Sequence, residues 1–125
     1  MALELLIAVP TPSRFRFDAS LLAELAPQIW PEAESMPAQG QVADIVDRYV
    51  YLPTGERRRC ELAVHRGGDG IGITAATEAL AADAIAWICA VSRPPVEDQV
   101  LLVNWTRELV ALTPNLTSAD LLRLR

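Results

Sequence analysis

From Asp47 to Ile73 the chain alternates polar and apolar side chains, and no other feature limits its possible folds so tightly. Tyr49 and Tyr51 fall on one side of the first run, with Val50 and Leu52 on the other. After the turn Pro53-Thr54-Gly55-Glu56 the pattern resumes from Arg57 to His65. There Cys60, Leu62 and Val64 face one way, and Arg59, Glu61, Ala63 and His65 the other. Gly67-Gly68-Asp69-Gly70 makes a second turn before a short run through Ile71 and Ile73. Period-two alternation belongs to strands with one face on a core and one face in water. The middle of the chain therefore predicts a meander with one dry face.

Something apolar must cover that face, and the stretch from Thr77 to about Val91 supplies it. Alanines, leucine, isoleucines and Trp87 run round most of its circumference, with Glu78 and Asp83 its only charged residues. A helix apolar nearly all round is a central packing helix. Thr74 or Thr77 is its expected cap, and Pro94-Pro95 stops it.

The flanks add further elements. Leu3 to Val9 suits a buried first strand closed by Pro10 and Pro12. Asp18 caps a helix with Leu21, Leu22, Leu25 and Ile29 on its apolar face, which Pro27 is expected to end or kink. From Trp30 to Gly40 the prolines and the acids Glu32 and Glu34 predict an irregular acidic loop. Strands are expected over Gln99–Val103 and Leu109–Leu112. Thr117 then caps a terminal helix, with Asp120 in the capping-box position and Leu116 stapling onto Leu121. The fold class is a single α+β domain over residues 1–125, an antiparallel or mixed sheet of about five to six strands with two to three helices mainly on one face. A doubly wound sheet would need regular strand–helix alternation, which is absent.

At 125 residues with 51% hydrophobic and 22% charged side chains, the chain can build one core without disulfides or metal. The net charge of -5 disfavours nucleic acid as a partner, because phosphates would be repelled on average. All eleven basic residues are Arg, so chemistry that needs a lysine amine (Schiff bases, the P-loop) is excluded. Cys60 and Cys89 with the single His65 cannot make a four-ligand zinc site without carboxylates, and both cysteines read as buried free thiols. No apolar run reaches about 18 residues, and the N-terminus lacks the basic start of a signal peptide. No cofactor, metal or membrane is expected, and the expected compartment is the cytoplasm.

Each candidate site has a bland alternative. The glycines of Gly67–Gly72 precede a helix, as in phosphate-binding loops, but the dinucleotide spacing fails at Ile73 and a hairpin turn is the expectation. Arg57, Arg58 and Arg59 alternate on a strand and suit a protein-contact edge. His65 shares a strand face with Glu61, yet four residues along a strand span about 13 Å, so the pair cannot act together and a surface histidine is expected. Glu32, Glu34, Asp44 and Asp47 form an acidic region that would neutralise a basic partner. Trp105 lies in a hairpin loop, where it either packs back on the domain or anchors an interface.

An acidic α+β domain without a catalytic motif, closing on a hairpin, Leu112-Thr113-Pro114-Asn115-Leu116-Thr117 and a short helix, resembles in character the small cytosolic immunity proteins of bacterial polymorphic toxin systems. That resemblance implies docking on a partner protein such as a basic toxin domain, with no chemistry of its own. The expected partner-binding residues are Glu32, Glu34, Asp44, Asp47, Arg57, Arg59, Glu61, His65 and Trp105. Two alternatives stand beside it. One is a small enzyme or ligand-binding domain with a pocket between sheet and central helix, where His65, Arg59 or Tyr49 would converge. The other is a homodimer formed through an exposed strand edge.

Overall fold

A computed structural model describes residues 2–53 and 59–125. The alternating middle forms β3 (Val46–Pro53), β4 (Arg59–His65) and β5 (Gly70–Ala75), paired antiparallel in sequence. The first strand, β1 (Leu3–Ala8), lies on the far side of β5 and joins it to β6 (Leu101–Leu102), itself paired with β7 (Val110–Ala111). On the other flank β2 (Glu34–Pro37) runs beside β3. Among the described residues the sheet thus has seven strands, all antiparallel, in the order β2-β3-β4-β5-β1-β6-β7.

The strand β2 replaces the irregular loop expected at Trp30–Gly40 and accounts for the extra strand. All four of its residues are exposed, so it carries no alternating burial for a sequence pattern to reveal. It is an edge strand, and Pro37 is tolerated there because an edge needs only half of its backbone groups paired.

Cross-strand register assembles the core in rows. Val50, Leu62, Ile73 and Leu5 lie side by side on one face, as do Val64, Ile71, Ile7 and Leu102. All eight are buried. Burial of each such side chain contributes about 1.5–3 kcal/mol, so these two rows dominate the stability of the sheet.

Helix α2 (Glu78–Ser92) covers this face with Ala81, Ala84, Ile85, Ile88 and Cys89, its alanines letting the helix backbone sit close to the strands. Thr77, rather than Thr74, is the cap, its hydroxyl accepting from the Leu80 amide at 3.2 Å. The helix ends at Ser92, two residues before Pro94, and the intervening Arg93 turns left-handed at φ 51° with its amide returning to the Cys89 carbonyl.

Helix α1 (Ala19–Ile29) starts on the Asp18 cap as expected. Its buried stripe is Ala19, Leu22 and Ala26, while Leu21 and Ile29 are exposed. Pro27 does not end it. The proline falls in the last turn, the Trp30 amide still closes on the Ala26 carbonyl at 2.9 Å, and Trp30 packs edge-to-face on Trp87 at 5.2 Å.

The C-terminal helix α3 (Ser118–Arg123) carries the expected capping box between Thr117 and Asp120. Hydrogen bonds from Thr117 and the neighbouring Arg123 hold the Asp120 carboxyl below the usual carboxylate range. Ser118 donates to Asp83 of α2 at 2.7 Å, tying the two helices together.

Trp105 corrects an expectation. It is 1% exposed, its indole N–H donates to the Leu121 carbonyl at 2.8 Å, and the Arg125 guanidinium lies 4.6 Å from its ring centroid. The side chain is a core element pinning α3, and it is not available as an interface anchor.

Candidate functional site

The helices named above bury one face of the sheet and leave the other without a helical layer. Two rows of side chains cross this open face. Glu34 of β2 stands opposite Tyr51, Tyr51 opposite Glu61, Glu61 opposite Thr74, and Thr74 opposite Glu4. One step along the strands, Met36 stands opposite Tyr49, followed by Ala63, Gly72 and Leu6. Val103 extends this second row, because its amide donates to the Leu6 carbonyl at 2.9 Å. The Leu6 amide is taken by Asn104 Oδ1 at 3.0 Å, and Asn104 Nδ2 donates to the Glu4 carbonyl, which seals the end of β1.

The result is an acidic row beside an apolar row. Met36 is 52% exposed, and Leu6 and Val103 are each 36% exposed. Tyr49 and Tyr51 stack with centroids 6.3 Å apart and an interplanar angle of 24°, giving the face a rigid aromatic step. Because Ala63 and Gly72 are small, the centre of the face sinks into a depression of about 350 Å³ rimmed by Tyr49, Glu61, Thr74 and Glu4. A larger hollow, of about 520 Å³, opens at the β2 edge between Glu32, Glu34, Met36, Tyr51, Leu52 and Pro53.

The expected partner-binding residues divide accordingly. Glu34 and Glu61 share the acidic row, and Glu32 stands beside Glu34 at the hollow. Asp44 and Asp47 do not join them. Asp44 ends a short 3₁₀ turn (Gly40–Asp44), and Asp47 lies four residues before Tyr51 on β3, about 13 Å away along the strand. Asp47 is also partly neutralised by Arg66 at 3.6 Å, and Arg66 is fixed in turn by the Ala43 carbonyl. The single acidic region read from the sequence is therefore split between two ends of the sheet. Arg57 and Arg58 lie outside the described residues, and Arg59 opens β4 opposite Pro53.

His65 belongs to the open face at the end away from Glu61, lying against Gly70, where an added Cβ would stand 2.7 Å from its Nδ1. It and Tyr49 therefore do not converge beneath the central helix. The glycine turn serves the fold: Gly67 and Gly68 take positive φ values of 84° and 76°, and the Gly68 carbonyl accepts from the Phe17 amide at 2.8 Å. That turn holds the segment leading into α1 against the sheet.

Both cysteines are free and buried. Burial pushes the Cys60 thiol up to about 12, with the Glu61 carboxylate adding to the shift, and burial alone pushes Cys89 to about 12. Thiols so held are inert packing groups at neutral pH. Among the described residues no group of three or more His, Cys, Asp or Glu side chains is placed to hold a metal ion. Among them, too, no helix is long and apolar enough to cross a membrane.

Several contributors to the open face escape a sequence reading of function, among them Glu4, Leu6, Met36 and Val103. Glu4 interrupts an otherwise apolar run, and that interruption was the available signal for a wet side on β1. Met36 and Val103 carry none, since only strand pairing brings them into line. No protein-family model, curated protein or solved structure is significantly similar to this chain.

Proposed function

We propose that this chain is a non-catalytic, cytoplasmic protein-binding domain that docks a basic partner protein on the open face of its sheet, in the manner of immunity proteins that neutralise toxins. The observation that carries this reading is the acidic row Glu34–Glu61–Glu4 lying directly beside an exposed apolar row on a face that no helix among the described residues covers. Apolar surface supplies affinity when buried, and the flanking carboxylates select the partner's sign of charge and speed its approach. Asp44 and Asp47, at the other end of the strands, contribute to the long-range field and not to the same contact.

Affinity capture from the native host, compared across variants, tests the reading. Wild-type protein should retain a stoichiometric basic partner, and Glu34→Lys with Glu61→Lys should lose it while keeping the wild-type circular dichroism spectrum. Asp44→Lys with Asp47→Lys should weaken capture less. Capture that survives the Glu34/Glu61 reversal undiminished removes the open face from the proposal.

A further inference from the structure

We propose that the occupant of the open face is an amphipathic helix of the partner, about 16 residues long, with an apolar stripe and an Arg or Lys every seventh residue along one flank. This rests on the docking reading above and specifies what docks. The spacing of the two rows carries it. Neighbouring strands lie about 4.8 Å apart, so the apolar row from Met36 on β2 to Val103 just after β6, six strands wide, is about 24 Å long. At 1.5 Å rise per residue, about 16 helical residues cover that length.

The carboxylates recur with the same logic. Glu34, Glu61 and Glu4 occupy alternate strands (β2, β4 and β1), which sets them about 10 Å apart. Seven residues of helix rise about 10.5 Å, so basic residues at heptad spacing recur at nearly the interval of the carboxylates. The two rows are two residues apart along each strand, about 7 Å, which lies within the width of one helix of about 10 Å diameter. A large apolar side chain at the middle of the stripe would fall into the depression over Ala63 and Gly72. Recognition of a helix through an apolar stripe in a groove follows the same physics.

Charge discriminates among rival occupants. An anionic lipid surface or a nucleic acid would meet three carboxylates in a line. A second copy of this chain carries the same net charge of -5, so it brings no surplus of positive charge to the acidic row.

The test uses the full-length protein and three synthetic 18-residue peptides: a helical one with a leucine stripe and Arg at heptad spacing, the same peptide with Glu in place of Arg, and the Arg peptide broken by a central Pro-Gly. Chemical-shift mapping and titration calorimetry provide the readout. The expected result is one-to-one binding of the intact Arg peptide, with shifts centred on Tyr49, Ala63 and Gly72. Affinity should be at least tenfold weaker for the Glu peptide, for the broken peptide, and for the Ala63→Arg protein. Salt should weaken the interaction, as expected for charge pairing. Equal affinity for the broken peptide at the same face would overturn the helix and leave the docking reading standing. Equal affinity for the Glu peptide, or no binding at all, overturns the inference, and host capture then judges the docking reading by itself. Concentration-dependent self-association through the open face, unaffected by peptide, overturns both.

Discussion

Trp105 offers the sharpest check on how the C-terminal third is built, because the sequence allowed it to be an exposed anchor and the fold buries it. Trp105→Ala removes a fully buried indole whose ring touches the core and carries Arg125 on its outer side. Truncations of this kind cost about 3–5 kcal/mol. For a 125-residue domain the entropy of unfolding is about 0.26 kcal/mol/K, so Tm should fall by roughly 11–19 °C. Trp105→Phe separates the ring from its hydrogen bond. Most of the apolar volume stays, while the N–H donor to the Leu121 carbonyl is lost. That carbonyl still accepts from the Leu124 amide at 3.1 Å, so it is not orphaned and the cost should be about 1–2 kcal/mol, or roughly 4–8 °C. Thermal unfolding followed by far-ultraviolet circular dichroism measures both, and partner capture by the Phe variant should remain at the wild-type level. A Tm loss below about 4 °C for the Ala variant, or a normally folded Phe variant that no longer captures the partner, would refute the placement of Trp105 in the core.

Two further outcomes follow from the geometry. Gly68→Ala should be among the most damaging single substitutions, because a Cβ there would stand 2.2 Å from the Phe17 carbonyl oxygen while the backbone holds φ at 76°; proteolysis of the segment between β1 and α1 should accelerate, and a Tm matching wild type would contradict the turn. Cys60 and Cys89 should resist a thiol reagent at pH 8 in the native state and react fully in urea. Their folded pKa values are raised to about 12, so the stability they contribute is complete below about pH 9 and is lost as pH rises toward 12; fast native-state labelling at pH 8 would show the thiols to be accessible.

Local patterns in the chain set its strands and helix starts. Alternation alone placed Val50, Leu52, Cys60, Leu62 and Val64 on one face of β3 and β4, because a strand's side chains must point alternately up and down whatever the neighbours are. The caps Asp18 and Thr117 were legible for the same reason, each satisfying amides within its own first turn, while the α2 cap was narrowed to Thr74 or Thr77 and the structure selects Thr77. Pairing decided the rest. The edge strand β2 exists because β3 offers it a ladder, and α1 continues past Pro27 to a Trp30 amide that closes on Ala26 and a Trp30 ring that packs on Trp87. Trp105 goes inside because α3 returns to meet it with the Leu121 carbonyl. The candidate site belongs to this second kind. Glu34, Glu61 and Glu4 lie far apart in the chain, and only the pairing of β2 through β5, with β1 added beside β5, sets them in one row. A sequence fixes which side of its own strand a residue takes, but the order of strands across a sheet is a global choice made by packing. That order turned three scattered glutamates into a surface.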